Sequence, residues 1–119
     1  MNWYLSKIVY RIVCGDGKHT AQFDEQLRLI KAMNKTEALH KAKQVGKAEE
    51  EIFLNDKKEL IQWQFINVAA LYKLGELIDG AEVYSRIEEK ENADEYISTI
   101  YKKADHILSD RSLEILKLV

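Results

Sequence analysis

The densest chemistry in this chain lies between residues 14 and 26, which read Cys-Gly-Asp-Gly-Lys-His-Thr-Ala-Gln-Phe-Asp-Glu-Gln. Cys14, Asp16, Lys18, His19, Asp24 and Glu25 bring a thiol, an ammonium, an imidazole and three carboxylates into one short stretch. A thiol beside an imidazole can form a nucleophile with its general base, and an imidazole among carboxylates can form a weak metal site. The same residues also suit a polar hairpin turn. Gly15 and Gly17 permit positive φ, and Asp16 tolerates it. Cys14 itself reads as a small apolar residue at a strand end.

Other known constellations are missing from the sequence. His19, His40 and His106 are far apart, and His40 and His106 read as surface residues. There is no H-E-x-x-H, no C-x-x-C, no dense acidic calcium loop and no G-x-S-x-G elbow. Gly15-Asp16-Gly17 is too short for a phosphate loop. Trp3, Trp63 and the tyrosines could stack on nucleobases, but they fall at strand periodicity and read as packing residues. No catalytic, cofactor or metal residue is assigned. The Asp16 to Glu25 loop stands as the one candidate ligand site.

Length and composition frame the rest. The 119 residues suit a single domain, and 46% hydrophobic with 32% charged residues is ordinary globular composition. No run approaches the ~18 apolar residues of a membrane span. Met1-Asn2-Trp3-Tyr4 followed by Lys7 leads us to expect no secretory signal. The 18 basic and 20 acidic residues nearly cancel, to a net charge of −2. A nucleic acid partner is therefore not favoured, since neutralising phosphates calls for a basic excess. One local asymmetry exists. Lys35, Lys41, Lys43 and Lys47 cluster on one segment, while residues 76–95 are rich in acids. Two solvated faces explain this, as would a basic helix of one copy meeting the acidic segment of another. Cys14 is the only cysteine, so an intramolecular disulfide is impossible and a reducing, cytoplasmic setting is expected.

Periodicity supplies the elements that would position the loop. Residues 3–14 predict a strand with apolar groups on both faces, which suits a central strand. Residues 22–33 predict its hairpin partner, with Phe23, Leu27, Leu29 and Met33 on one face and Asp24, Gln26 and Arg28 on the other. Asn34 and Glu37 have capping-box spacing and open a helix with the stripe Ala38, Leu39, Ala42 and Val45. Gly46 weakens this helix by roughly 1 kcal/mol relative to alanine, so a packing contact or fraying is expected there. The helical pattern runs on through Ile52 and Phe53 to a polar turn at Asn55-Asp56-Lys57. Residues 59–69 predict a third strand, 71–78 a connection with one helical turn, and 81–88 a fourth strand. Asn92 and Glu95 open a second helix with the stripe Ala93, Tyr96, Ile97, Ile100, Tyr101, Ala104, Ile107 and Leu108. The apolar tail 113–119 is expected to be packed rather than free.

The order strand, strand, helix, strand, strand, helix predicts an α+β fold. Its four-stranded, mainly antiparallel sheet would carry both helices on one face. Residues 1–108 would form one domain, and 109–119 a C-terminal extension packed on the domain or on a partner.

Several segments together resemble a bacterial family of small proteins catalogued only as a domain of unknown function. They are the opening Trp3-Tyr4, the loop Cys14-Gly15-Asp16-Gly17-Lys18-His19-Thr20, and the run from Gln22-Phe23-Asp24-Glu25-Gln26 to Ile30. The strand Gln62-Trp63-Gln64-Phe65 and the segment Asp79-Gly80-Ala81-Glu82-Val83-Tyr84-Ser85-Arg86-Ile87 complete the set. The resemblance covers residues 1–108. It carries no activity and no site residue with it. The expected function is a non-catalytic association module, most simply a homodimer, because two short helices leave one face of the central strand uncovered. The alternative is a small enzyme, or a small-molecule or metal binder, using the Asp16 to Glu25 loop.

Overall fold

A computed structural model describes residues 1–109. Four strands form one antiparallel sheet: β1 (Asn2–Cys14), β2 (Gln22–Ala32), β3 (Glu51–Leu54) and β4 (Leu60–Lys73), in the spatial order β2-β1-β4-β3. The helices are α1 (Lys35–Ala48) and α2 (Ala93–Asp105). The class and element order are those expected. By their contacts the residues fall into two compact units, Met1–Val83 and Tyr84–Val119. The first holds the sheet and α1.

β1 is central, as its two apolar faces require. It pairs with β2 from Asn2↔Ala32 to Ile12↔Gln22 without a break. Against β4 the register slips between Lys7 and Ile8 and between Val9 and Tyr10, which leaves Ala69 and Ile66 as extra residues of β4. Tyr4, Ser6, Ile8 and Tyr10 on one face of β1 are all buried.

α1 lies on that face, and the reason is in its sequence. Ala38, Ala42 and Gly46 are spaced four residues apart, are all buried, and form a smooth ridge that lets the helix axis come close to the sheet. Tyr4, Ile30 and Ala32 pack against Ala38 and Ala42, with Val45, Val68 and Leu71 around them. Leu39, expected in the buried stripe, is 37% exposed. The helix opens as its cap predicts, with the Asn34 side chain accepting from the Glu37 amide at 2.9 Å.

Three expectations are corrected. Residues 51–54 do not continue the helix; they form β3, paired with β4 from Glu51↔Trp63 to Leu54↔Leu60. Asn55 turns this hairpin, its Oδ1 accepting from the amides of Lys57 and Glu59, both at 2.9 Å. Residues 71–73 extend β4 instead of starting a helical turn, and the Leu74 amide then donates to the Trp3 carbonyl. Residues 81–88 form no strand. A period of two shows that a segment could lie on a sheet, not that an edge is open to it. Of the two helices, α1 lies on the sheet as expected; α2 belongs to the second unit. There the Asn92 side chain accepts from the Glu95 amide at 3.0 Å, as expected, and α2 has no buried residue. The apolar tail 113–119 lies outside the described residues.

Candidate functional site

The β1–β2 connection is held by its own hydrogen bonds. Gly17 donates its amide to the Cys14 carbonyl at 3.0 Å, and the Asp16 carboxylate accepts from the Lys18 amide at 3.0 Å. Gly15 and Gly17 have φ of 57° and 80°, the conformation that glycine adopts without strain. The Gly15 amide reaches across to the Leu60 carbonyl at 2.7 Å and ties the turn to β4. His19 closes the loop on itself. Its Nε2 accepts from the Cys14 amide at 3.0 Å, and its Nδ1 lies 2.8 Å from the Thr20 carbonyl, which can only accept.

This arrangement fixes the ring as the Nδ1–H tautomer, with the Nε2 lone pair directed at a backbone amide. The lone pair that a base or a metal ligand would offer is thus engaged by Cys14 N–H, not by the Cys14 thiol. Cys14 is half-buried, and the turn borders an open cavity of about 680 Å³ that Glu59 also lines. Among the described residues no three His, Cys, Asp or Glu side chains are grouped so as to hold a metal ion. Long-range proton–nitrogen NMR should show the Nδ1–H tautomer for His19 and no movement of its signals on adding zinc. His19→Ala should cost about 0.5–1.5 kcal/mol, the worth of ordinary hydrogen bonds. An Nε2–H ring, or signals that shift with zinc, would contradict the arrangement.

The six residues singled out in the sequence go three ways. Cys14, Asp16, Lys18 and His19 line the turn cavity. Glu25 lies on the face of the sheet away from α1, 3.7 Å from the ammonium of Lys7. Asp24 points to the α1 side, where its Oδ2 accepts from the Trp63 indole at 3.0 Å and from the Gln26 amide at 2.7 Å.

Asp24 there begins a polar row. Gln26 Oε1 accepts from Arg28 Nε and Nη2 at 3.1 and 2.8 Å, and Arg28 Nη2 lies 2.7 Å from Glu49 at the end of α1. Gln26, Arg28 and Glu49 of the row line a cleft of about 350 Å³ together with Tyr10, Glu50 and Trp63. Tyr10 is buried, and its hydroxyl donates to the Gly46 carbonyl at 2.8 Å. Burial pushes its phenol above the usual value, Glu49 adds to this, and Arg28 opposes it. Glu50 is held below the usual carboxylate value by Lys47, 2.9 Å away, and by the Phe65 amide that donates to it at 2.9 Å. Every polar group here whose bond is described has a partner inside the protein, so the row acts first as a clamp between β2, β4 and the end of α1. The alternation of Asp24, Gln26 and Arg28 was visible in the sequence. Their convergence with Trp63 and Glu49 was not, because it depends on the strand order.

The comparison with known families bears on this same region. The family model of a domain of unknown function, DUF4288, matches residues 3–85. The chain belongs to the DUF4288 family. The match ends close to the boundary of the first compact unit, so the family signature is that of the sheet with α1 and the segment after β4. It includes the turn and the polar row. No curated protein and no solved structure matches the chain.

Proposed function

We propose that this DUF4288 protein is a non-catalytic association module that acts as a two-fold homodimer in the bacterial cytoplasm. The supporting observation is the row Phe23, Leu27 and Leu29 on β2, exposed by 56%, 55% and 52%. These side chains share the face of the sheet away from α1, and β2 is an edge strand. Burying such groups contributes roughly 1.5–3 kcal/mol each, and apolar groups left in water along an edge strand, here interrupted by Glu25, usually mark an interface. A two-fold dimer is the commonest association of such a strand. The lone cysteine supports the reducing compartment. The rival reading, a ligand loop at Asp16 to Glu25, is weakened because its residues diverge and His19 is engaged on both ring nitrogens. Light scattering at micromolar concentration is the test. A mass near twice the 13.9 kDa chain is expected, and a strict monomer would refute the proposal.

A further inference from the structure

We infer that two copies join edge to edge along β2, antiparallel, about a two-fold axis at Gln26, so that one continuous eight-stranded sheet runs through the dimer. This rests on the homodimer proposed above and specifies its geometry.

The backbone of β2 points to this arrangement. In an antiparallel ladder alternate residues turn N–H and C=O to one neighbour and then to the other. Arg28 turns its carbonyl to β1, where Ser6 Oγ donates to it at 3.3 Å. The odd residues of β1 face β4 instead, since the Trp3 carbonyl accepts from the Leu74 amide and, just past the strand, the Gly15 amide donates to the Leu60 carbonyl. Even positions of β2 therefore face β1, and Phe23, Glu25, Leu27, Leu29 and Lys31 face outward. Lys41 covers the Lys31 carbonyl. From Phe23 to Leu29 the outward amides and carbonyls have no partner among the described residues. The edge is 11 residues long, unbroken in register and without proline, so it carries none of the usual guards against strand addition except its charges. The opposite edge, β3, has only 4 residues.

The charges select a second copy as the occupant and fix its register. An axis at Glu25 would oppose two carboxylates, and one at Arg28 two guanidinium groups. An axis at Leu27 would set Phe23 against Lys31. An axis at Gln26 sets Phe23 against Leu29 of the other copy on the open face. On the α1 side it sets Asp24 against Arg28, and symmetry repeats both pairs. Opposite charges and apolar groups placed directly across strands are the pairs that stabilise a sheet. Glu25 then falls opposite Leu27 and keeps its ion pair with Lys7. Residues 22–30 of each copy overlap.

Disulfide trapping tests the register. With Cys14→Ser to remove the native thiol, Gln26→Cys meets its own counterpart at a non-hydrogen-bonded position, where Cα atoms lie about 4.5 Å apart. That separation is within disulfide range. Mild oxidation should convert Gln26→Cys, but not Leu29→Cys, to a covalent dimer, and mixing Phe23→Cys with Leu29→Cys should give a mixed one. Substitutions at exposed Leu27 give an independent reading, with circular dichroism confirming the fold. Opposite Glu25, Leu27→Arg should keep the dimer, its cross-strand ion pair offsetting the apolar burial lost with leucine, while Leu27→Glu, which loses that burial and opposes Glu25, should raise its dissociation constant several-fold. A dimer that Gln26→Cys does not cross-link, or that both Leu27 variants weaken equally, overturns the edge pairing and leaves the association reading standing. A wild-type monomer at all concentrations overturns both.

Discussion

Replacing Gly46 by alanine should destabilise the protein by about 2 kcal/mol, although alanine is the better helix former. On a free helix the change would gain about 1 kcal/mol. Here a Cβ at position 46 would sit 2.3 and 2.5 Å from two carbons of the Phe65 ring, far inside contact distance. The ring cannot swing away freely. Its edge meets Tyr10, with centroids 6.0 Å apart and planes at 64°, and Tyr10 is itself bonded to the Gly46 carbonyl. Either α1 lifts from the sheet or Phe65 leaves its rotamer, and overpacking of this kind costs about 1–3 kcal/mol, with the steepest contacts at the upper end. Urea unfolding of Gly46→Ala against wild type reads the effect. Combining Gly46→Ala with Phe65→Leu should recover part of the loss, because the shorter side chain vacates the space. An alanine variant as stable as wild type would mean that the helix does not approach this closely.

The contrast at Gly46 shows what the sequence could and could not convey. The choice between a packing contact and fraying was legible, but the stripe read from the sequence ran through Leu39 and Val45, and Gly46 was not part of it. That the contact is Phe65 depends on β4 lying beside β1, a long-range pairing with no local signal. The same holds for β3. Glu51-Ile52-Phe53-Leu54 has an apolar run too short to separate a strand from a helix end, and only its pairing with residues 60–63 decides. The caps at Asn34 and Asn92, by contrast, rest on bonds three residues long and were read directly. The turn chemistry was legible for the same reason, while its value as a site was not. Whether His19 offers a lone pair depends on which backbone groups surround it, and these come from Cys14 and Thr20 once the loop has closed.

Tyr10→Phe should cost about 1–3 kcal/mol, and the loss should depend on pH in a defined way. The hydroxyl satisfies the Gly46 carbonyl near the end of α1, where the last carbonyls have no partner within the helix. Gly46 is buried, so phenylalanine would leave that oxygen unsatisfied away from water. The pH dependence follows from the phenol. Burial, reinforced by Glu49, raises its folded pKa above the ordinary value of 10.0. A group whose pKa is raised on folding binds its proton more tightly in the folded state. Its contribution is therefore complete below the unfolded pKa and fades as pH rises through the folded one. The stability gap between wild type and Tyr10→Phe should thus stay level from about pH 6 to 9 and narrow above 10.0, as the wild type must either keep the proton or bury a phenolate. Urea midpoints across that range, taken for both proteins in parallel, cancel the titration of the other tyrosines and the lysines. A gap that is absent at neutral pH would show that the Gly46 carbonyl finds another donor. One that widens in alkali would show that the phenol titrates more easily in the folded protein than outside it.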